Sequence, residues 1–173
     1  LDANAHQVQA TLGHINLNLG RYAEAIDDFQ RALKQRPSYL AAKLGLAEAY
    51  DLNRQSGEAE QTYHEAIALS PAYWIGYNEL GYFYFIHGRY AEAIEQWKRV
   101  VQLLPGREIG HTNLGNAYLN QGHLEAAVTS YRQSLSMAET LAGYVGLGTA
   151  FYYQGNYDGA VEAFKKGLQL SPN

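Results

Sequence analysis

The stretch NELGYFYFIHGRYAEAIEQW, residues 78–97, mixes six aromatic residues with Gly81, Gly88, Ala91 and Ala93. Glycine in a helix interior costs about 1 kcal/mol relative to alanine, so small residues among bulky rings need a structural reason. The rest of the chain supplies that reason, because the same small residues and rings return at a fixed interval.

An internal repeat runs through the whole sequence. A leucine followed by glycine or alanine occurs at residues 12–13, 46–47, 80–81, 114–115 and 147–148. An alanine followed four residues later by a ring keeps the same interval. These pairs are Ala25 and Phe29, Ala59 and Tyr63, Ala93 and Trp97, Ala127 and Tyr131, and Ala160 and Phe164. Proline closes four of the five copies, at Pro37, Pro71, Pro105 and Pro172.

This pattern resembles the tetratricopeptide repeat (TPR) family. In the third copy the resemblance rests on Tyr77, Leu80, Gly81, Tyr84, Gly88, Ala93, Trp97 and Pro105. It implies an all-α fold, a right-handed α-solenoid of antiparallel helix pairs known as the TPR superhelix. The predicted repeats are 6–39, 40–73, 74–107, 108–140 and 141–173, with residues 1–5 as the tail of a preceding repeat.

The repeat also predicts how the helices pack. In the third copy we expect helices over 74–87 and 90–104, with Gly81 facing Ala93 where they cross. The rings then fill the wedges between helix pairs, and unit-on-unit stacking stabilises the fold. In the second copy the turn glycine is expected to be displaced to Gly57, and the carboxylates of Asp27 and Asp28 are expected to lie on a solvated face.

Composition narrows the class of protein. The chain has 173 residues, 47% of them hydrophobic and 17% charged, which is enough for a folded core. A net charge of −4 disfavours a nucleic-acid binder. There is no cysteine for disulfide or thiolate chemistry and no apolar run long enough to span a membrane, so a cytoplasmic location is expected. Because Leu1 is not an initiator methionine and the last helix carries an apolar stripe without a cap, we expect a piece of a longer protein.

No motif in the sequence predicts catalysis. The six histidines form no HExxH pattern and no pair four residues apart. There is no nucleophile elbow and no phosphate-binding loop, because the glycines at 143, 146 and 148 fall inside a helical pattern. We therefore expect no enzyme activity, no cofactor and no metal.

Binding is the class of function that remains. In the TPR family the first helices of successive repeats line a concave groove that takes peptides or partner helices. The resemblance assigns these groove positions to Asn78, Tyr82, Phe85, Ile86, Asn116, Asn120, Thr149, Tyr152, Tyr153, Glu48 and Asp51. We predict that repeat packing does not need the rings at these positions, which leaves them available to a ligand. The alternative is that the rings are buried against neighbouring helices. Asparagine amides suit an extended backbone, since they donate and accept hydrogen bonds.

Two known binding modes of the family do not carry over. The carboxylate clamp needs lysine, asparagine and arginine where this chain has Ala10, His14, Gly45, Ile75 and Glu79. The asparagine ladder of sugar-transferring relatives needs an asparagine before each Leu-Gly pair, and only Asn113 meets that requirement.

The leading hypothesis is a protein-interaction scaffold for an apolar or aromatic peptide, with basic residues favoured by Glu48 and Asp51. Alternatives are a module that self-associates through its ends, and a regulatory arm of a larger bacterial signalling enzyme such as a Ser/Thr kinase.

Overall fold

The computed structural model describes residues 4–170, which form ten α-helices and no β-strand. The helices are α1 (Ala5–Asn18), α2 (Tyr22–Gln35), α3 (Leu40–Leu52), α4 (Ser56–Leu69), α5 (Trp74–Ile86), α6 (Tyr90–Leu103), α7 (Ile109–Asn120), α8 (Leu124–Met137), α9 (Leu141–Tyr153) and α10 (Tyr157–Leu170). The prediction of an all-α fold is confirmed. Most of the predicted tail of a preceding repeat and the closing Pro172 lie outside the described residues.

The second helix of each pair is amphipathic. In α2, for example, Ala25, Phe29 and Ala32 are fully buried and follow the spacing of four and three residues that places side chains on one helix face. An acidic residue lies in the first turn of these helices, such as Glu24 in α2, where it complements the positive end of the helix dipole. Within residues 4–170, no helix is both long and apolar enough to cross a membrane.

The chain divides into two compact units, Leu1–Phe83 and Tyr84–Asn173. In the first unit α1 packs on α2, α2 on α3 and α3 on α4, and the first helices α1 and α3 also touch. In the second unit each helix from α6 to α10 packs on the next, and α7 touches α9. Within each unit, successive helices from α1 to α4 and from α6 to α10 therefore contact one another, and first helices also touch, as expected for stacked repeats.

One aromatic ring in each unit lies between two glycines. Phe29 is fully buried, and a Cβ atom added at Gly13 or Gly45 would come within 2.8 Å or 2.5 Å of its ring. Tyr131 is held in the same way between Gly115 and Gly146. These glycines make room for the ring, which confirms at both positions that rings fill the wedge between adjacent repeats.

The glycine of the Leu-Gly pair faces a ring in three repeats. Gly13, Gly115 and Gly148 each face the ring of their own second helix, which is Phe164 in the case of Gly148. A ring needs more room than a methyl group, and a glycine, which has no side chain, provides that room next to the ring. The predicted contact between Gly81 and Ala93 in the third repeat stays a prediction.

Tight turns join the two helices of every pair. At Gly88, with φ of 72°, the backbone is left-handed, and Arg89 N donates to Tyr84 O at 2.8 Å, closing a Schellman motif. The second turn was predicted to use Gly57, and this is wrong. Arg54 takes the left-handed position with φ of 62°, and Gly57 lies inside α4.

The prediction of a solvated carboxylate at Asp28 is also wrong. Asp28 is buried, and its Oδ2 accepts a hydrogen bond from Asn16 Nδ2 at 2.8 Å, while Arg31 Nη1 lies 3.6 Å from Oδ1. Asn16 stands where other repeats carry a ring, so a polar pair replaces ring packing at this point. Asp27, its neighbour, is exposed as expected.

Candidate functional site

The predicted groove residues lie on the first helices of the repeats. In the first unit, Glu48 and Asp51 lie on α3, and Asn78 and Tyr82 lie on α5. The second unit contains the others, which are Phe85, Ile86, Asn116, Asn120, Thr149, Tyr152 and Tyr153. Each unit brings part of its set to an open pocket.

The pocket of the first unit is acidic, and we call it the acidic pocket. Its volume is about 240 Å³, and its walls come from α1, α3, α4 and α5. The lining residues are His14, Ala41, Leu44, Gly45, Glu48, Tyr63, Ile75 and Glu79. Of the predicted site residues, only Glu48 lines it. The amide of Asn78 is linked to the pocket, because its Nδ2 donates to Glu79 Oε1 at 3.1 Å.

Burial and neighbouring carboxylates both shift the pKa values of titratable groups at the acidic pocket. Burial raises the pKa of Glu48, and the negative charges of Glu79 and Asp51 raise it further, while His14 acts in the opposite direction. The pKa of Tyr63 is also raised, first by burial and then by the same carboxylates. The site therefore carries a concentrated negative potential in a partly desolvated place.

An apolar pocket adjoins the acidic pocket and shares Ala41, Leu44 and Ile75 with it. It measures about 500 Å³, and its other walls are Leu40, Ser70 and Tyr73. The first unit thus offers an apolar surface that continues into a negatively charged end.

The second unit has a different pocket, which we call the aromatic pocket. It measures about 510 Å³ and is lined by Leu119, Asn120, Gly122, Leu124, Thr149 and Tyr153. Three of these were predicted site residues, namely Asn120, Thr149 and Tyr153. The Tyr153 ring is 64% exposed and meets the Tyr152 ring edge-on, with centroids 5.7 Å apart. Tyr152 in turn lies 5.8 Å from the ring of Tyr157.

Some predicted residues have structural partners. The Phe85 ring is half-buried and lies 5.6 Å from Trp97 and 5.5 Å from Tyr90, so the expectation that it is surplus to repeat packing is wrong. Asn116 accepts a hydrogen bond at Oδ1 from the Tyr131 hydroxyl at 2.7 Å. The side chain of Asn120 donates to the main-chain carbonyl of Asn116 at 2.8 Å.

The remaining predicted residues are less closely grouped. The side chains of Tyr82 and Ile86 are exposed, and Asp51 is half-buried. Thr149 donates its hydroxyl to Val145 O at 2.8 Å and lines the aromatic pocket. The exposed ring of Tyr82 supports the prediction that it is not needed for packing.

Sequence reasoning missed Tyr63 and Glu79 as site residues. Tyr63 holds the ring position that follows the repeat alanine, which indicated core packing alone. Glu79 directly precedes a Leu-Gly pair, a position considered only for the carboxylate clamp and the asparagine ladder. A fourth pocket was also missed, which measures about 320 Å³ and has Arg132 of α8, Phe151 of α9 and Lys166 of α10 in its wall. In the described part of the chain, no group of three or more His, Asp or Glu side chains is placed to hold a metal ion.

Paired helices, ring-and-glycine packing and open pockets on the first helices define a helical-repeat protein. The sequence matches a family model described as tetratricopeptide repeat over residues 11–73 and 112–173, and another described as TPR repeat over 81–122. The chain therefore belongs to the tetratricopeptide repeat family, whose members are generally protein-interaction scaffolds.

Solved structures support the same fold. A thermophilic TPR protein of Thermus thermophilus is 26% identical with a TM-score of 0.75, and the match covers 98% of this chain and 93% of that one. Pseudomonas aeruginosa pilF is 23% identical with a TM-score of 0.83, covering 96% and 76%. MamA is 24% identical with a TM-score of 0.76, covering 91% and 92%. No curated protein sequence matches this chain.

Proposed function

We propose that this protein is an interaction scaffold that binds a partner peptide or helix on the first helices of its repeats. The observation that carries the proposal is the exposed Tyr152–Tyr153 pair beside the aromatic pocket. Tyrosine supplies a large apolar area and a polar tip, and it is enriched among the residues that dominate interface energies.

The aromatic pocket has the composition of a peptide-binding surface. Leu119 and Leu124 provide an apolar floor, and Asn120 and Thr149 place polar atoms at its edge. A partner side chain that enters the pocket removes this apolar area from water and covers the Tyr153 ring, which stabilises the complex by about 25 cal/mol per Å² buried. The favoured partner is an apolar or aromatic segment.

A peptide-display selection tests the proposal. The folded chain is immobilised and a library of random peptides, each about 12 residues long, is selected on it, and the enriched peptides are then measured against variants. Tyr153→Ala is expected to weaken binding about tenfold or more, since a buried aromatic anchor commonly contributes about 2 kcal/mol. Tyr157→Ala is the matched comparison, because Tyr157 is similarly exposed and touches the Tyr152 ring but does not line the pocket, so it separates the pocket from the ring cluster beside it.

The outcome separates three cases. Enriched peptides that depend on Tyr153 but not on Tyr157 support the proposal. Enriched peptides that bind Tyr153→Ala as well as wild type place the binding surface elsewhere and overturn the role of the aromatic pocket. A selection that enriches no peptide contradicts peptide binding itself.

Self-association is the second candidate function, favoured by exposed apolar faces on α1 and α10. Leu12 is 42% exposed, whereas its repeat counterparts Leu46, Leu114 and Leu147 are buried. On α10, Val161, Phe164 and Leu168 are exposed along one face. Sedimentation velocity at rising concentration tests this candidate, and Leu12→Lys or Leu168→Lys is expected to suppress any assembly. A regulatory role in a larger signalling enzyme and a cytoplasmic location stay predictions from the sequence.

A further inference from the structure

Among the described residues, the carboxylates of the acidic pocket share its wall with His14 but with no lysine or arginine. Neither Glu48 nor Glu79 forms an ion pair with a basic side chain of residues 4–170. Lys43, which is on α3 with Glu48, pairs instead with Glu65, with Nζ and Oε2 2.8 Å apart. Crowded carboxylates in a partly buried place disfavour their own ionised forms, as the raised pKa of Glu48 indicates.

Tyr63 gives independent evidence that the pocket receives a ligand. Tyr63 is only 5% exposed and lines the pocket, yet its hydroxyl makes no hydrogen bond within the described residues. Buried phenols usually have a hydrogen-bond partner. The comparable ring in the second unit, Tyr131, does have one, since its hydroxyl donates to Asn116. The Tyr63 hydroxyl is therefore an unpaired polar group on a side chain that lines the same pocket as Glu48 and Glu79.

We propose that the acidic pocket binds the basic side chain of a lysine or arginine in the partner peptide. Glu48 and Glu79 pair with the cationic head group, and the phenol oxygen of Tyr63 accepts one of its N–H groups. Leu44 and Ile75, which the adjoining apolar pocket shares, cover the aliphatic stem. This inference rests on the proposed peptide binding and assigns a residue class to one position of the peptide.

The chemistry of the pocket disfavours acidic and apolar side chains at this position. An acidic side chain would add a negative charge to the two carboxylates, and an apolar one would remove water from them without pairing them. A basic side chain supplies both the opposite charge and the hydrogen-bond donors. It also gains electrostatic attraction as it approaches, which makes binding weaker at high salt.

Two matched probes test the proposal by nuclear magnetic resonance titration. The first is the peptide Ac-Leu-Lys-Leu-NH₂, and the second replaces lysine with norleucine, which has a similar length and no charge. Shifts of the Tyr63 ring and of the Leu44 and Ile75 methyl groups report binding. We expect the lysine probe to bind about fivefold more tightly than the norleucine probe, because charge-assisted hydrogen bonds form only with lysine.

Three variants locate the effect. Glu48→Gln and Tyr63→Phe are expected to reduce the lysine preference severalfold, with norleucine binding no weaker than in wild type, because the loss of a charge or of a hydroxyl group lowers the cost of desolvation. Glu24→Gln is the control, since it removes the same charge from an exposed position on α2 of the same unit. Retention of the lysine preference in Glu24→Gln and its loss in the other two variants supports the proposal.

Other results overturn it. Equal binding of the two probes, or equal loss in Glu24→Gln, shows that the pocket does not select a basic side chain. Shifts at Tyr153 in place of Tyr63 put the lysine in the second unit and contradict the assignment. Either result leaves the proposed function intact as long as displayed peptides still depend on Tyr153, whereas the absence of any displayed binder overturns the proposed function itself.

Discussion

The two units use equivalent repeat positions for different chemistry. The position that holds Glu48 in α3 holds Asn116 in α7 and Thr149 in α9. In the first unit it contributes a carboxylate to the acidic pocket, and in the second it contributes Thr149 to the aromatic pocket. The comparison shows that the repeat fixes where a side chain points and leaves its charge and shape free to vary, which is how one architecture serves many partners.

The interiors of the two units are nearly the same. Phe29 lies between Gly13 and Gly45 in the first, and Tyr131 lies between two glycines in the second. The difference between the units is therefore small at these ring positions, and the larger contrast lies in their pockets. If this is right, substitutions in the interior should affect both units alike, and substitutions in the pockets should affect binding far more than stability.

The largest expected effect is the loss of a ring held between glycines. Phe29→Ala and Tyr131→Ala should each lower the free energy of unfolding by about 3–5 kcal/mol, because each removes a fully buried ring. Phe164→Ala is the control at the same repeat position, where the ring is 37% exposed, and it should cost clearly less. Urea unfolding followed by circular dichroism measures all three. If Phe164→Ala lowers the free energy of unfolding as much as the other two variants, burial of the ring does not determine its contribution to stability.

The glycines beside these rings should give the next largest effect. Gly45→Ala places a methyl group against the Phe29 ring and should cost about 1–3 kcal/mol, the range for overpacking a core. Gly57→Ala provides the control within the same unit, since Gly57 is in α4 with open space around it. That substitution should stabilise the helix by about 0.5–1 kcal/mol. We expect Gly45→Ala to lower the melting temperature relative to wild type and Gly57→Ala to raise it.

The sequence predicts the helices well and the sites less well, for physical reasons. Helix order follows from periodicity and from the repeat interval, which are local properties of the chain. Burial of Asp28 and packing of Phe85 depend on what a neighbouring helix presents, such as Asn16 or Trp97. The position of the aromatic pocket was partly predicted, through Asn120 and Tyr153, because those residues occupy groove positions of the family. The Tyr63 hydroxyl was not, because a core ring position gives no sign of an unpaired polar end.

The turn at Arg54 distinguishes the first unit from the second in backbone strain. Arg54→Gly should raise the free energy of unfolding by about 1 kcal/mol, since a left-handed backbone costs about 1–2 kcal/mol for a residue with a side chain. Gly20→Ala is the reciprocal control, because Gly20 has φ of 72° and no atom within 4 Å of an added Cβ. It should destabilise by a similar amount. If both variants lower stability, the side chain of Arg54 makes a contribution that outweighs its backbone strain.

The smallest expected effect on stability is at Glu48, and its sign depends on pH. The folded pKa of Glu48 lies above its ordinary value of 4.5, because of burial and the charges of Glu79 and Asp51. A raised folded pKa means that folding favours the protonated carboxyl. Its stabilising contribution is complete below the unfolded pKa and is lost as pH rises through the folded pKa. Glu48→Gln, which stays neutral, should therefore be more stable than wild type at about pH 7.

The higher stability of Glu48→Gln over wild type should disappear in acid, and wild type should become the more stable protein when the lysine probe binds. As pH falls toward 4.5, wild-type Glu48 becomes protonated and the two unfolding free energies should converge. Near neutral pH the lysine probe should stabilise wild type more than Glu48→Gln, because only the ionised carboxylate pairs with it. Glu24→Gln should show neither behaviour, being exposed and outside the pocket. Urea titrations at several pH values, with and without probe, measure this. If the ionised Glu48 lowers stability without the probe and raises it when the probe binds, its presence is explained by ligand binding. If Glu48→Gln is instead less stable than wild type at neutral pH, Glu48 has a structural role.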